Sequence, residues 1–162
     1  MKKKDIALRN LQRERNERGQ EFQEEIRRSW THIPSSWRMR LKDGPGGTQP
    51  ADEIVLLEDA NLLGEHKRTA GKKFEVGFLR PDQFRGLLEF DAVMTRNKGL
   101  VFVSFNNPAQ GLDDAYAFRL VMALRYMRAN GLQYIHLDDF RRQVIPCAQL
   151  PRLDAADPTY DL

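Results

Sequence analysis

Two short apolar runs, Glu53-Ile54-Val55-Leu56-Leu57-Glu58 and Leu62-Leu63-Gly64-Glu65-His66-Lys67, stand three residues apart, with Asp59-Ala60-Asn61 between them. Apolar runs this short, bounded by polar turn residues, read as strands joined by a tight turn. The first is apolar on both alternations, which predicts a place inside a sheet rather than at its surface. In the second, the two-residue alternation of a strand puts Leu63, Glu65 and Lys67 on one face and Leu62, Gly64 and His66 on the other. A chain with such a hairpin is committed to building a sheet. Its charged residues, Asp52 at the entrance and Glu65 and Lys67 near the exit, are then fixed in space by that sheet.

The flanking sequence supplies helices. Residues 1–30 read as one long helix, weakened at Gly19. Beyond Gly19, Phe22, Ile26 and Trp30 recur every four residues and form one apolar stripe. His32-Ile33-Pro34 ends that helix. Trp37–Leu41 alternates apolar and basic residues, as a strand with one buried face does. Asp43–Pro50, rich in glycine and proline, reads as a flexible loop, and Arg68–Lys73 as a basic one. Pro81 opens a second helix running to about Val93, with Gln83, Leu87 and Phe90 on one face. Leu100–Phe105 is another apolar strand, and Asn106–Leu112 a loop. Asp113 or Asp114 is expected to cap a helix ending at Asn130-Gly131. Gln133–Leu137 reads as a last strand. Early consecutive strands followed by alternation predict an α/β fold, a mixed central sheet flanked by helices. The expected organisation is a basic N-terminal arm or helix extension over 1–18, a central domain over 19–150, and an acidic, mobile tail over 151–162.

Composition narrows the setting. At 162 residues the chain has the length of one domain. Its net charge is only +3, but lysine and arginine crowd into residues 1–42, which points to a polyanionic partner. The single cysteine, Cys147, excludes an internal disulfide and a cysteine-rich zinc site. No apolar run approaches a membrane span, and the basic N-terminus lacks the apolar segment of a signal peptide. The expected location is the cytoplasm, of a bacterial cell or of the bacterial host of a phage or plasmid.

Asp52 and Glu65 lie on strands that a tight turn brings side by side. Two facing carboxylates repel unless a cation stands between them, and hard divalent cations take oxygen ligands. The backbone carbonyl of His66 is a candidate third ligand, while the His66 ring faces away. Lys67 shares the face of Glu65 and can reach a phosphate. Pro50-Ala51-Asp52 followed by Glu65-His66-Lys67, on a strand–turn–strand after an N-terminal helix, resembles the PD-(D/E)XK nuclease superfamily. Within it, the closest likeness is to Holliday-junction resolvases of the RecU and archaeal Hjc type. Phe74–Gln83 resembles the segment in which a glutamine opens the next helix, Gly99–Phe105 the following strand, and Arg18-Gly19 the start of the first helix. The resemblance implies a restriction-endonuclease-like core and Mg2+- or Mn2+-dependent endonuclease cleavage of DNA, with branched DNA as substrate in recombination or repair, by a homodimer. It assigns Asp52, Glu65, Lys67 and Gln83 to catalysis, with metal at Asp52, Glu65 and the His66 carbonyl. Members often carry a glutamate on the first helix; the matching position here is Gln23, with Glu21, Glu24 and Glu25 around it, and Glu21 and Glu24 are the candidate acids. Arg68, Lys72, Lys73, Arg38 and Arg40 are the expected DNA contacts. Less structure-selective nucleases of the superfamily, and a DNA-binding protein that keeps the fold without catalysis, are the alternatives.

Overall fold

The structure is a computed structural model that describes residues 2–42, 44–154 and 159–162. The chain opens with helix α1 (Lys2–Ser29). Three strands follow: β1 (Trp37–Arg40), β2 (Glu53–Leu56) and β3 (Asn61–Thr69). Then come β4 (Lys73–Glu75), α2 (Pro81–Val93), β5 (Asn97–Asn107), β6 (Leu112–Arg119) and α3 (Leu120–Asn130). The chain finishes with β7 (Tyr134–His136), α4 (Leu137–Arg141), β8 (Cys147–Gln149), β9 (Arg152–Asp154) and β10 (Thr159–Tyr160).

Six strands form the central sheet in the order β1-β2-β3-β5-β6-β8. The β3–β5 pair is parallel, with α2 in the connection between them; the other pairs are antiparallel. Phe22, Ile26 and Trp30 bury their stripe on one face of this sheet, against Val55, Leu62 and Phe102. The other face holds the larger core, where Leu63, Val101, Val103 and Phe118 meet Leu87 of α2, Leu120 of α3 and Phe140 of α4. The fold is thus α/β, a mixed central sheet flanked by helices. The helix α2 rides so close to β5 that a Cβ at Gly99 would sit 2.2 Å from the Leu87 carbonyl oxygen. No helix among the described residues is long and apolar enough to cross a membrane.

Several expectations need correction. The helix expected from Asp113 or Asp114 begins instead at Leu120, after strand β6. Gly111 takes a left-handed conformation (φ 65°) that turns the chain back after Pro108–Gln110, and eight consecutive residues then pair with β5. That pairing buries Tyr116 and Phe118, which outweighs the capping signal of two acids. The acids pair with arginines instead, Asp113 with Arg152 and Asp114 with Arg141. The strand expected at Gln133–Leu137 forms as β7, but it pairs with β4 in a separate two-stranded sheet. Arg68 and Thr69 belong to β3 and Lys73 to β4, so the basic loop is shorter than expected. Asp43 of the expected loop lies outside the described residues, as do 155–158 of the expected mobile tail. The rest of that tail is docked: β10 pairs with β9, and Tyr160 is buried edge-on against Phe22.

The strand β1 presents the opposite face to the one expected. Trp37 and Met39 are exposed, whereas Arg38 turns inward and donates to the Arg27 carbonyl oxygen at 2.7 Å. The strand is the sheet's edge, and α2, which packs on β3 and β5, does not cover it.

Candidate active site

The strand β2 pairs with β3 only as far as Gly64, while β3 continues to Thr69 along β5. Beyond Gly64, the edge of β3 toward β2 is therefore open, and Asp52 stands at that opening. Its N–H donates to the Gly64 carbonyl at 2.9 Å on β3, and its own carbonyl accepts from Leu41 N–H at 2.8 Å on the other side. In a regular strand both groups of one residue point to the same neighbour; here they are split, as at a β-bulge. The turn in the backbone leaves the Asp52 carboxylate in the plane of the sheet, where its Oδ2 accepts the His66 backbone N–H at 2.8 Å. A strand residue turns its carbonyl to the same side as its N–H. The His66 carbonyl therefore faces the same opening.

On the α2 face, the Lys67 ammonium lies 2.6 Å from Glu65 Oε1 and donates to Gln83 Oε1 at 3.2 Å. Gln83 Oε1 also accepts the Arg80 backbone N–H at 3.0 Å, so one buried amide both caps α2 and holds the lysine. Glu65 is 1% exposed, and its Oε2 finds no hydrogen-bond partner among the described residues. Burial, reinforced by the Asp52 charge and opposed by Lys67, pushes the Glu65 carboxyl up to about 7. Asp52 moves the other way. Its burial is outweighed by the hydrogen bond, charge and backbone N–H of His66, which hold it below the usual aspartate range.

On the α1 face lies a buried cluster that alternation alone does not reveal. The His66 ring places Nδ1 3.1 Å from Asp52 Oδ2 and Nε2 3.0 Å from Glu53 Oε1. Trp30 Nε1 donates to the same Glu53 oxygen at 3.0 Å. Burial alone would lower the imidazolium's pKa, but the two carboxylates hold it up to about 10. His66 does face away from Glu65 and Lys67, as expected, yet its ring grips Asp52, which lies between the faces. The sequence carried one signal for this: adjacent acids Asp52 and Glu53 at a bulge, opposite a histidine on a buried strand face.

The two first-helix candidates separate. Glu24 pairs with Arg27 and lines a cleft of about 300 Å3 with Gln20, Gln23, Arg40, Asp52, Glu53 and His66. Glu21 is exposed, away from that cleft, with its carboxylate 3.6 Å from Arg68. A second cleft of about 490 Å3 shares Gln20, Gln23, Arg40 and Asp52 and extends to Lys42 and Gln49. Arg68 is not a surface contact. Its side chain is 4% exposed, bonded to Glu25 at 2.5 Å and Ser104 at 3.1 Å and stacked over Phe22. Arg38, half-buried, is held by the Arg27 carbonyl. Lys72, Lys73 and Arg40 are exposed, Lys73 with its ammonium 4.0 Å above the Tyr134 ring. Glu25, the third acid beside Gln23, is buried, pairs with Arg68 and accepts the Tyr160 hydroxyl at 2.9 Å.

Among the described residues, no group of three or more His, Cys, Asp or Glu is disposed to hold a metal ion. The donor set is the smaller one of Asp52, Glu65 and a backbone carbonyl. It fits a hard divalent cation on its chemistry: two interacting carboxylates, one ending in a buried oxygen without a partner. No family model and no curated protein matches the chain.

Proposed function

We propose that the protein is a metal-dependent endonuclease of the PD-(D/E)XK kind, with a restriction-endonuclease-like core. It hydrolyses DNA phosphodiester bonds at branched, Holliday-junction-like sites in recombination or repair, and it works as a homodimer. One observation carries the reading: Asp52, at the open edge of β3, acts on the charge of buried Glu65, whose Oε2 has no partner among the described residues and whose Oε1 pairs with Lys67, held by Gln83 from α2.

In this reading Asp52, Glu65 and the His66 carbonyl would hold Mg2+ or Mn2+, which when bound would supply Lewis acidity and a lowered water pKa. Lys67, released from Glu65, brings a fixed positive charge to where negative charge develops on the phosphate oxygens. Gln83 keeps that ammonium from swinging away, and its own position is held by the N-terminus of α2. Exposed Arg40, Lys72 and Lys73 meet the DNA backbone, so binding weakens as salt rises.

The test is cleavage of four-way junction, flap, duplex and single-stranded DNA with Mg2+ or Mn2+. Junction DNA is expected to be cut fastest. Asp52→Asn, Glu65→Gln and Lys67→Ala are each expected to abolish cutting while leaving DNA binding largely intact. Equal cutting of plain duplex would leave a less selective nuclease. No cutting of any substrate would overturn both enzyme readings.

A further inference from the structure

We infer that His66 is the positioning residue for Asp52, holding one carboxylate oxygen so that the other is presented to a divalent cation. The inference rests on the metal reading above and extends it to the opposite face of the sheet. Asp52 Oδ2 accepts two bonds from one residue, from the His66 backbone N–H at 2.8 Å and from ring Nδ1 at 3.1 Å. Two donors converging on one oxygen fix the plane of the carboxylate and leave Oδ1 outside both of these bonds. The ring is itself fixed: Nε2 meets Glu53 Oε1 at 3.0 Å, and Trp30 Nε1 steadies that same oxygen at 3.0 Å. Phe22 and Phe102 pack against the imidazole from the apolar side. The result is a chain from the end of α1 to the metal-facing acid, Trp30 to Glu53 to His66 to Asp52, with the His66 and Glu53 side chains almost wholly buried. Groups that orient a metal ligand through hydrogen bonds tune affinity without touching the ion.

The two ring nitrogens can be tested separately. The amide nitrogen of asparagine stands roughly where Nδ1 stands, and that of glutamine where Nε2 stands. His66→Asn keeps the donor to Asp52 and loses the one to Glu53; His66→Gln does the reverse. Mn2+ binding to the metal-free full chain, measured by titration calorimetry, is the readout, with thermal unfolding recorded alongside. The expected result is Mn2+ affinity about tenfold to a hundredfold weaker in His66→Gln, with His66→Asn staying near wild type. Equal weakening in both variants, or none in His66→Gln, would overturn the inference in favour of simple packing. A measurement on the wild type guards against unfolded variants: Mg2+ should shift the His66 ring nitrogen signals in a 1H–15N spectrum, and leave those of His32 and His136 in place. Saturation without that shift would also overturn it. The metal reading fails differently. If wild-type protein binds no Mn2+, or Asp52→Asn binds as tightly as wild type, both the site and the role of His66 fall.

Discussion

Glu65 is the residue at which the site's own electrostatics set a working range. Its carboxyl, pushed up to about 7 by burial and by Asp52, must lose a proton before it can take a cation. With Mg2+ kept scarce, cutting is expected to rise with pH through about 7, and saturating Mg2+ should move the rise to lower pH. A profile flat from pH 5 to 8 at limiting Mg2+ would show that Glu65 is not the ligand. Stability without metal runs the other way. A carboxyl that binds its proton more tightly when folded loses stability as pH climbs from the ordinary glutamate range toward 7. His66 adds a decline of the same sign: its contribution is full below about 6.5 and is lost as pH rises toward about 10. The thermal midpoint of metal-free protein is therefore expected to fall between pH 6 and 10. Arg68 makes a separate case. Arg68→Ala would leave Glu25 buried without its main cation, so urea unfolding should show a loss of about 3–5 kcal/mol, while the salt dependence of DNA binding stays as it was. The meeting of Glu65, Lys67 and Gln83 was legible in the sequence, because local alternation puts the first two on one face and a helix start places the third. The burial of Arg68 was not, because Glu25 and Phe22 reach it from α1, a segment remote in sequence, and the grip of the His66 ring on Asp52 depends on an irregularity at Asp52 that strand alternation does not predict.

At the scale of elements, the site depends on how α2 is seated. Gly99 and Gly86 are the points of contact, since a Cβ at Gly86 would lie 2.7 Å from Pro50 Cβ, two residues before Asp52. Gly99→Ala drives a methyl into the Leu87 backbone, which cannot move aside as a side chain can. It is expected to destabilise by about 1–3 kcal/mol. Because α2 carries Gln83, kcat should fall in the same variant, measured at a temperature where it remains folded. Full activity with unchanged stability would mean that α2 does not fix Gln83. The long α1, the β2–β3 hairpin, the Pro81 helix start and the β5 strand were readable because each is set by its own periodicity or end signals. The strand β6 was not, since Asp113-Asp114 mimics a helix cap and the outcome is decided by pairing with β5. The pairs β4–β7 and β9–β10 were equally hidden. The strands β4, β9 and β10 are two or three residues long, too short for a period, and although β7 is readable as a strand its pairing with β4 is not.

At the scale of the whole molecule, the central sheet ends unevenly. No described strand pairs with the outer edge of β1, and Trp37 (54% exposed), Met39 (47%) and Leu56 (38%) form an uncovered apolar strip on one of its faces. An open edge beside exposed large side chains is a template for joining another chain. A second copy satisfies both needs if the edges meet about a two-fold axis, because the same strip is then supplied from each side. Five inter-strand steps of ~4.8 Å would set the two β3 strands roughly 24 Å apart across the joint sheet, with their openings at opposite ends along the strands. The expectation is a dimer in sedimentation equilibrium at micromolar concentration, converted to monomer by Trp37→Lys with Met39→Glu. These exposed side chains contribute nothing to the core, so the double variant should unfold at nearly the same urea concentration as a wild-type sample diluted to monomer. A double variant that still sediments as a dimer would move the interface elsewhere. One that is monomeric yet cuts both strands of a junction in a single encounter would separate dimerisation from cleavage.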